Sequence, residues 1–229
     1  MLMVRFIRRL SLGLGMAGLV ILAACDRLRP FETVCEGRLE PTRISVVTEP
    51  VSYSVNHAHS FAQLTTRGAV LVDHGQSVLG LTEASLRTQV QVNARGLRTR
   101  WSGRYCMRPD VAVRITFNPM TVFVGTDEPV DSCRYRITWD HEMRHVAVYQ
   151  SFLPTIATRI ERQLTEYFGN RVFFFATGDE AQAHVDKLVA GFLSPLVQSG
   201  VAEVRDLQRT VDQPHEYARL DSLRARCEH

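Results

Sequence analysis

None of the five cysteines sits in a C-x-x-C pair, so the usual four-cysteine zinc clasp is excluded. No block of basic residues marks a nucleic-acid surface. No internal repeat and no low-complexity tract occurs, which excludes solenoids and disordered tails. The one long apolar run near the start, Leu10 to Ala24, covers fifteen residues and is short for a membrane-spanning helix. What remains is a chain of 229 residues, 45% hydrophobic and 22% charged. That composition folds, and the length suits one domain with a real core.

The first 25 residues read as an export leader. Arg5, Arg8 and Arg9 form a positive stretch ahead of the apolar run, which ends in Leu22-Ala23-Ala24-Cys25. That ending resembles the lipobox of bacterial lipoproteins. The resemblance implies that Cys25 is lipidated and becomes the new N-terminus. The competing reading is an uncleaved N-terminal anchor. Asp26 resembles a retention signal for the inner membrane, so the expected place is the periplasmic face of the cell envelope. Removing the leader lowers 27 basic side chains to 24, level with the 24 acidic ones. The basic pI is partly a property of the leader.

The expected organisation is therefore a leader over 1–25, a polar tether over 26–43 and a single domain over 44–229. Four cysteines remain, Cys35, Cys106, Cys133 and Cys227, an even number that reads as two disulfides after export. Of the three possible pairings we expect Cys106–Cys133, flanking a hairpin-like stretch, and Cys35–Cys227, tying the ends.

Strand signals come first. Residues 44–56 are rich in Val, Ile and Tyr, with Pro50 at a break or an edge. Residues 59–71 suggest a helical turn or two ending at Gly68. Alternation is clear at Val90 and Val92, and again at Val111, Val113, Ile115 and Phe117. After Cys133 the period becomes helical: Ile156, Ile160, Leu164 and Phe168 are four apart. Residues 171–178 suit either a strand or a helix end. Later segments at 178–198, 203–210 and 216–225 read as helices. Strands followed by helices mean α+β, here a mostly antiparallel sheet followed by a helical half. Trp101 and Trp139 are expected in the core or in cleft walls, and Phe173 to Phe175 in buried packing.

The helical half opens with His141-Glu142-Met143-Arg144-His145, an H-E-x-x-H sequence. Residues four apart on a helix lie one above the other, so both imidazoles can reach one ion. Zinc takes such nitrogen ligands, and Glu142 falls beside the metal rather than on it. Its expected role is general base toward metal-bound water. Arg144 is either a substrate clamp or a solvated side chain. His57-Ala58-His59 suits a polar loop better than a metal site.

Two histidines need a third ligand. The metzincin continuation is absent, because Val148 and Ser151 stand where it needs Gly and His. Glu161 would lie about 30 Å from His141 along one straight helix, so it needs a break at Pro154. Glu180 and His184 are further candidates. His215, beside Asp212 and Pro214, suits a ligand with an acidic orienting neighbour and is expected first.

The layout resembles a family of bacterial secreted zinc-dependent protease-like proteins. The resemblance rests on LTTRG at 64–68, LGLTEASLRTQVQV at 79–92, Cys106, Cys133, HEMRH at 141–145 and QRTVDQPH at 208–215. It departs at the end, where Val211 replaces a Tyr and Glu216 a Gly. It implies a zincin-like peptidase with one zinc ion, acting on proteins or peptides. A non-catalytic envelope lipoprotein and a peptidoglycan-directed metal amidase are the alternatives. Nucleic-acid partners are not expected.

Overall fold

In the computed structural model, residues 29–68 and 77–228 are described. The leader, Cys25 and Asp26 lie outside the described residues.

The order is α1 (Phe31–Arg38), β1 (Ile44–Thr48), β2 (Ser54–Asn56), α2 (Phe61–Arg67), β3 (Gly80–Arg98), β4 (Tyr105–Val124), α3 (Cys133–Phe168), β5 (Phe173–Phe175), α4 (Ala181–Arg209) and α5 (Pro214–Ala225), then a 3₁₀ turn. The class is mixed, with a five-stranded sheet. The sheet corrects the expected, mostly antiparallel one. β1 and β2 run parallel to β4, whereas β3 and β5 run antiparallel to it. At positions 111–115 of β4, both β1 and β3 are paired, so they occupy opposite edges. β5, β1 and β2 therefore lie end to end along one edge of β4. The segment that reads as one strand at 44–56 is two, broken around Pro50.

β4 carries a bulge. Ala84 pairs with Met120 and Leu86 with Phe117, so Asn118 and Pro119 together oppose Ser85. An extra residue on one strand switches which of its side chains face the core. Val111, Val113, Ile115 and Phe117 face α3 before the bulge, and Met120 and Val122 after it. β3 keeps its alternation throughout. Thr82, Ala84 and Leu86 consequently share the α3 side, which matters for the site.

α3 begins at Ser132, whose hydroxyl accepts the Tyr135 N–H, a cap worth about 1 kcal/mol. The helix runs unbroken through Pro154. An interior proline costs about 3 kcal/mol. Ile156, Ile160, Leu164 and Phe168 are each fully buried, at about 1.5–3 kcal/mol apiece. Their burial outweighs the proline. The segments at 178–198 and 203–210 likewise merge into one helix, α4, and Gly200 lets it approach α3: a Cβ there would lie 1.9 Å from Ile156 Cδ1.

On the other face, α1 and α2 cover the two ends of the β3–β4 hairpin. α2 has the expected end at Gly68 and a capping box between Ser60 and Gln63. Both disulfides form, but with other partners than expected: Cys35–Cys106 and Cys133–Cys227. Cys35 on α1 sits directly over Cys106 on β4 in a small buried cluster. Cys227 follows α5, which packs back on the start of α3 at Cys133. The expected Cys106–Cys133 and Cys35–Cys227 pairs are therefore corrected: the fold lays α1 over β4 and brings the end of α5 to the start of α3. Two disulfides belong to an oxidising compartment, extracellular or periplasmic. No helix of the described residues is long and apolar enough to cross a membrane.

Trp101 corrects another expectation. It is 99% exposed, at the tip of the β3–β4 hairpin. Trp139 is half-buried, and Phe174 is exposed on β5.

Candidate metal centre

Thr138, His141, Glu142 and His145 fall on one buried face of α3. Three elements close over it: the start of β3, the end of α4, and the loop from Thr210 to Gln213 leading into α5.

His141 Nε2 and His145 Nε2 are 3.3 Å apart. Each is 3.2 Å from Asp212 Oδ1. Hydrogen bonds alone account poorly for this triangle. If both imidazoles donate to Asp212, two N–H groups face each other at 3.3 Å with no acceptor between them. Three ligand atoms held 2.0–2.1 Å from one tetrahedral zinc ion would stand about 3.3 Å apart. The group can hold a metal ion.

Each member of the triangle is braced from behind. Gln208, on the last turn of α4, meets His145 Nδ1 through Oε1 at 2.6 Å and donates Nε2 to the His145 carbonyl at 3.1 Å. That contact fixes His145 with Nδ1 as the donor and leaves Nε2 to the ligand triangle. Tyr217 O–H donates to Asp212 Oδ1 at 3.1 Å. Behind His141, Glu216 Oε1 lies 3.6 Å from Nδ1, which has no closer partner. Glu216 is nearly fully buried, yet Arg219 and Arg144 both pair with it. Hydrogen bonding from Arg219 holds its carboxyl down to about 2 against the cost of burial, helped by the charges of Arg144, Arg219 and His141. Arg144 is thus an ion-pair partner in the wall of the site. The sequence offered it only as a substrate clamp or a solvated side chain.

Glu142 is 3% exposed. Its Oε2 accepts the Thr82 hydroxyl at 2.7 Å. Burial raises its pKa above the ordinary value, while His145, His141 and Thr82 pull the other way. Burial would also raise Asp212, but hydrogen bonds from His141 and His145 hold it well below the usual carboxylate range. Burial would lower His145, yet Asp212, Glu142 and Gln208 leave it raised. Tyr217 is pushed up by burial and by Asp212, so its phenol stays protonated. Two carboxylates beside two imidazoles make a pocket that favours a cation.

Of the expected ligands, His141 and His145 converge and His215 does not. It lies exposed in the first turn of α5. Asp212, expected only to orient it, supplies the third atom. Pro214 is the cause. It occupies the first position of α5, with Gln213 as cap. Residues before it stay in a loop that can turn inward, whereas His215 is carried onto the outer face of the helix. Glu161, Glu180 and His184 are exposed and outside the group. His57 touches the Tyr135 hydroxyl, and His59 packs on Phe123. In the sequence Gln208 stands only as the first residue of the QRTVDQPH match, with no role assigned, and Tyr217 carries no signal.

Compared with models of known protein families, with curated proteins and with solved structures, the chain gives no match.

Proposed function

We propose that the chain is a zinc-dependent peptidase of the bacterial cell envelope, exported and tethered through a lipid on Cys25, with Asp26 favouring the inner membrane. The reading rests above all on the 3.2–3.3 Å triangle of His141 Nε2, His145 Nε2 and Asp212 Oδ1, with Glu142 buried on the same helix next to His141. The resemblance of HEMRH and its surroundings to secreted zincin-like proteases supports it.

Zinc in that triangle would supply a Lewis acid and bring the pKa of a water toward about 7. The chain's own residues do the rest. Glu142 lies off the ligand set, one residue from His141, where it can take a proton from water. Thr82 holds Oε2 and leaves Oε1 toward Gly80. Thr82 fixes the orientation of the Glu142 carboxylate for that proton transfer. Glu142 can then pass the proton to the leaving amine. Tyr217 keeps Asp212 in place and stays a donor. Arg144 and Arg219 fix Glu216 behind His141.

A second reading has one observation in its favour. His141, Glu142 and His145 are each 9% exposed or less and the centre opens to solvent only on the Asp212 side, as would suit a metal-binding lipoprotein without turnover. Glu142→Gln separates the two. A peptidase loses hydrolysis of unfolded protein or of peptidoglycan peptides, about 10²-fold or more, while its zinc content stays the same. Unchanged hydrolysis in Glu142→Gln would refute the mechanism.

A further inference from the structure

The tip of the β3–β4 hairpin has no role in the metal centre. Thr99 N–H donates to the Arg104 carbonyl at 2.9 Å, and Gly103 takes φ +71°, so the tip is a defined tight turn. It presents Trp101 with 99% of its surface exposed. Residues 98–104 include Arg98, Arg100 and Arg104 and no acid. Arg104 pairs with Glu32 on α1. Arg98 and Arg100 are exposed and make no ion pair among the described residues.

A second apolar feature lies beside it. Arg104 stands 5.2 Å over the Phe31 ring, and Phe31 meets Phe174 edge-on at 6.5 Å. Phe174 is 42% exposed on β5. The chain's own path leads here too. Cys35–Cys106 pins α1 under the hairpin tip. The fifteen apolar residues Leu10–Ala24 lie upstream of that point.

We infer that this end of the molecule docks on an anionic phospholipid surface, with Trp101 in the headgroup layer and Arg98 and Arg100 on lipid phosphates. Tryptophan partitions to membrane interfaces because its ring is apolar and its N–H polar. Free arginines are drawn to anionic leaflets. A surface tryptophan with no packing partner is otherwise an unexplained exposure of a large apolar group. Docking there fixes the orientation of the domain, to which Cys35–Cys106 ties α1 within the span expected as a tether. The inference is independent of any hydrolytic activity.

The test uses the full chain with vesicles of phosphatidylcholine alone or mixed with phosphatidylglycerol, with and without brominated acyl chains. The protein has two tryptophans, and Trp139 stacks on Tyr135, so Trp101→Phe is the blank. Expected is a blue shift and bromine quenching in wild type with phosphatidylglycerol, both missing in Trp101→Phe. Arg98→Gln and Arg100→Gln should each weaken the interaction about fivefold at low salt. Flotation of Trp101→Phe with the same vesicles reports attachment through the N-terminal segment apart from the hairpin tip. Trp101 emission that stays unshifted and unquenched, in protein that floats or does not, overturns the inference.

Discussion

Gly80 faces Glu142 so closely that a Cβ on it would lie 2.5 Å from Oε1 and 2.9 Å from Cγ. The first residue of β3 is a glycine because the carboxylate occupies the space. Gly80→Ala must push Glu142 or the strand aside, an overpacking that costs about 1–3 kcal/mol. Urea unfolding should show that loss. Under the proposed function, hydrolysis should fall more than zinc content, since the base is displaced and the ligands are not.

Gln208 grips His145 at both Nδ1 and the carbonyl. Gln208→Ala removes the grip and leaves the three ligands. Zinc affinity should drop about 10- to 100-fold, as for other residues that orient a ligating histidine. A competition titration with a chelating dye measures it. An unchanged affinity would show that His145 needs no brace.

The α3 face was legible in sequence because H-E-x-x-H and the four-residue spacing of Ile156 to Phe168 both follow helical geometry. The alternation at Val111 to Phe117 placed a core strand for the same reason. The parallel pairing of β1 and β2 was not legible, since strand composition carries no direction. Nor was the β4 bulge, whose effect is to keep α3-facing residues aligned on both sides of Pro119. The third member of the His141–His145–Asp212 group was legible to within three residues. The sequence marks the segment around Asp212 and His215, and Pro214 as a helix start is the signal in it that turns one inward and the other outward.

The Cys133–Cys227 disulfide holds the end of α5 to the start of α3, and α5 carries Glu216 and Tyr217. Closing a loop of that length contributes about 4–5 kcal/mol in the chain-entropy account. Replacing both cysteines by serine should lower stability and loosen zinc binding together. Peptide mapping without reduction should return Cys35 linked to Cys106 and Cys133 linked to Cys227. Recovery of Cys106 linked to Cys133 would contradict the fold.

Asp110 gives a pH dependence far from the metal centre. Burial would raise its pKa, but the Arg95 hydrogen bond, the Arg43 backbone N–H and both arginine charges leave it below the ordinary 3.8. A lowered folded value means that its contribution is full above about 3.8 and fades as pH falls through the folded value. Asp110→Asn should be less stable than wild type at neutral pH, and the gap should shrink under acid. Chemical denaturation at pH 7 and near pH 2 checks the sign.

The most direct test is metal content per chain in wild type, His141→Ala, Asp212→Ala and His215→Ala, each checked for folding by circular dichroism. The account predicts about one zinc in wild type and in His215→Ala, and a loss in His141→Ala and Asp212→Ala. Zinc retained in Asp212→Ala but lost in His215→Ala would contradict the ligand set. No zinc in folded wild type, even after it is added back, would contradict the metal centre itself.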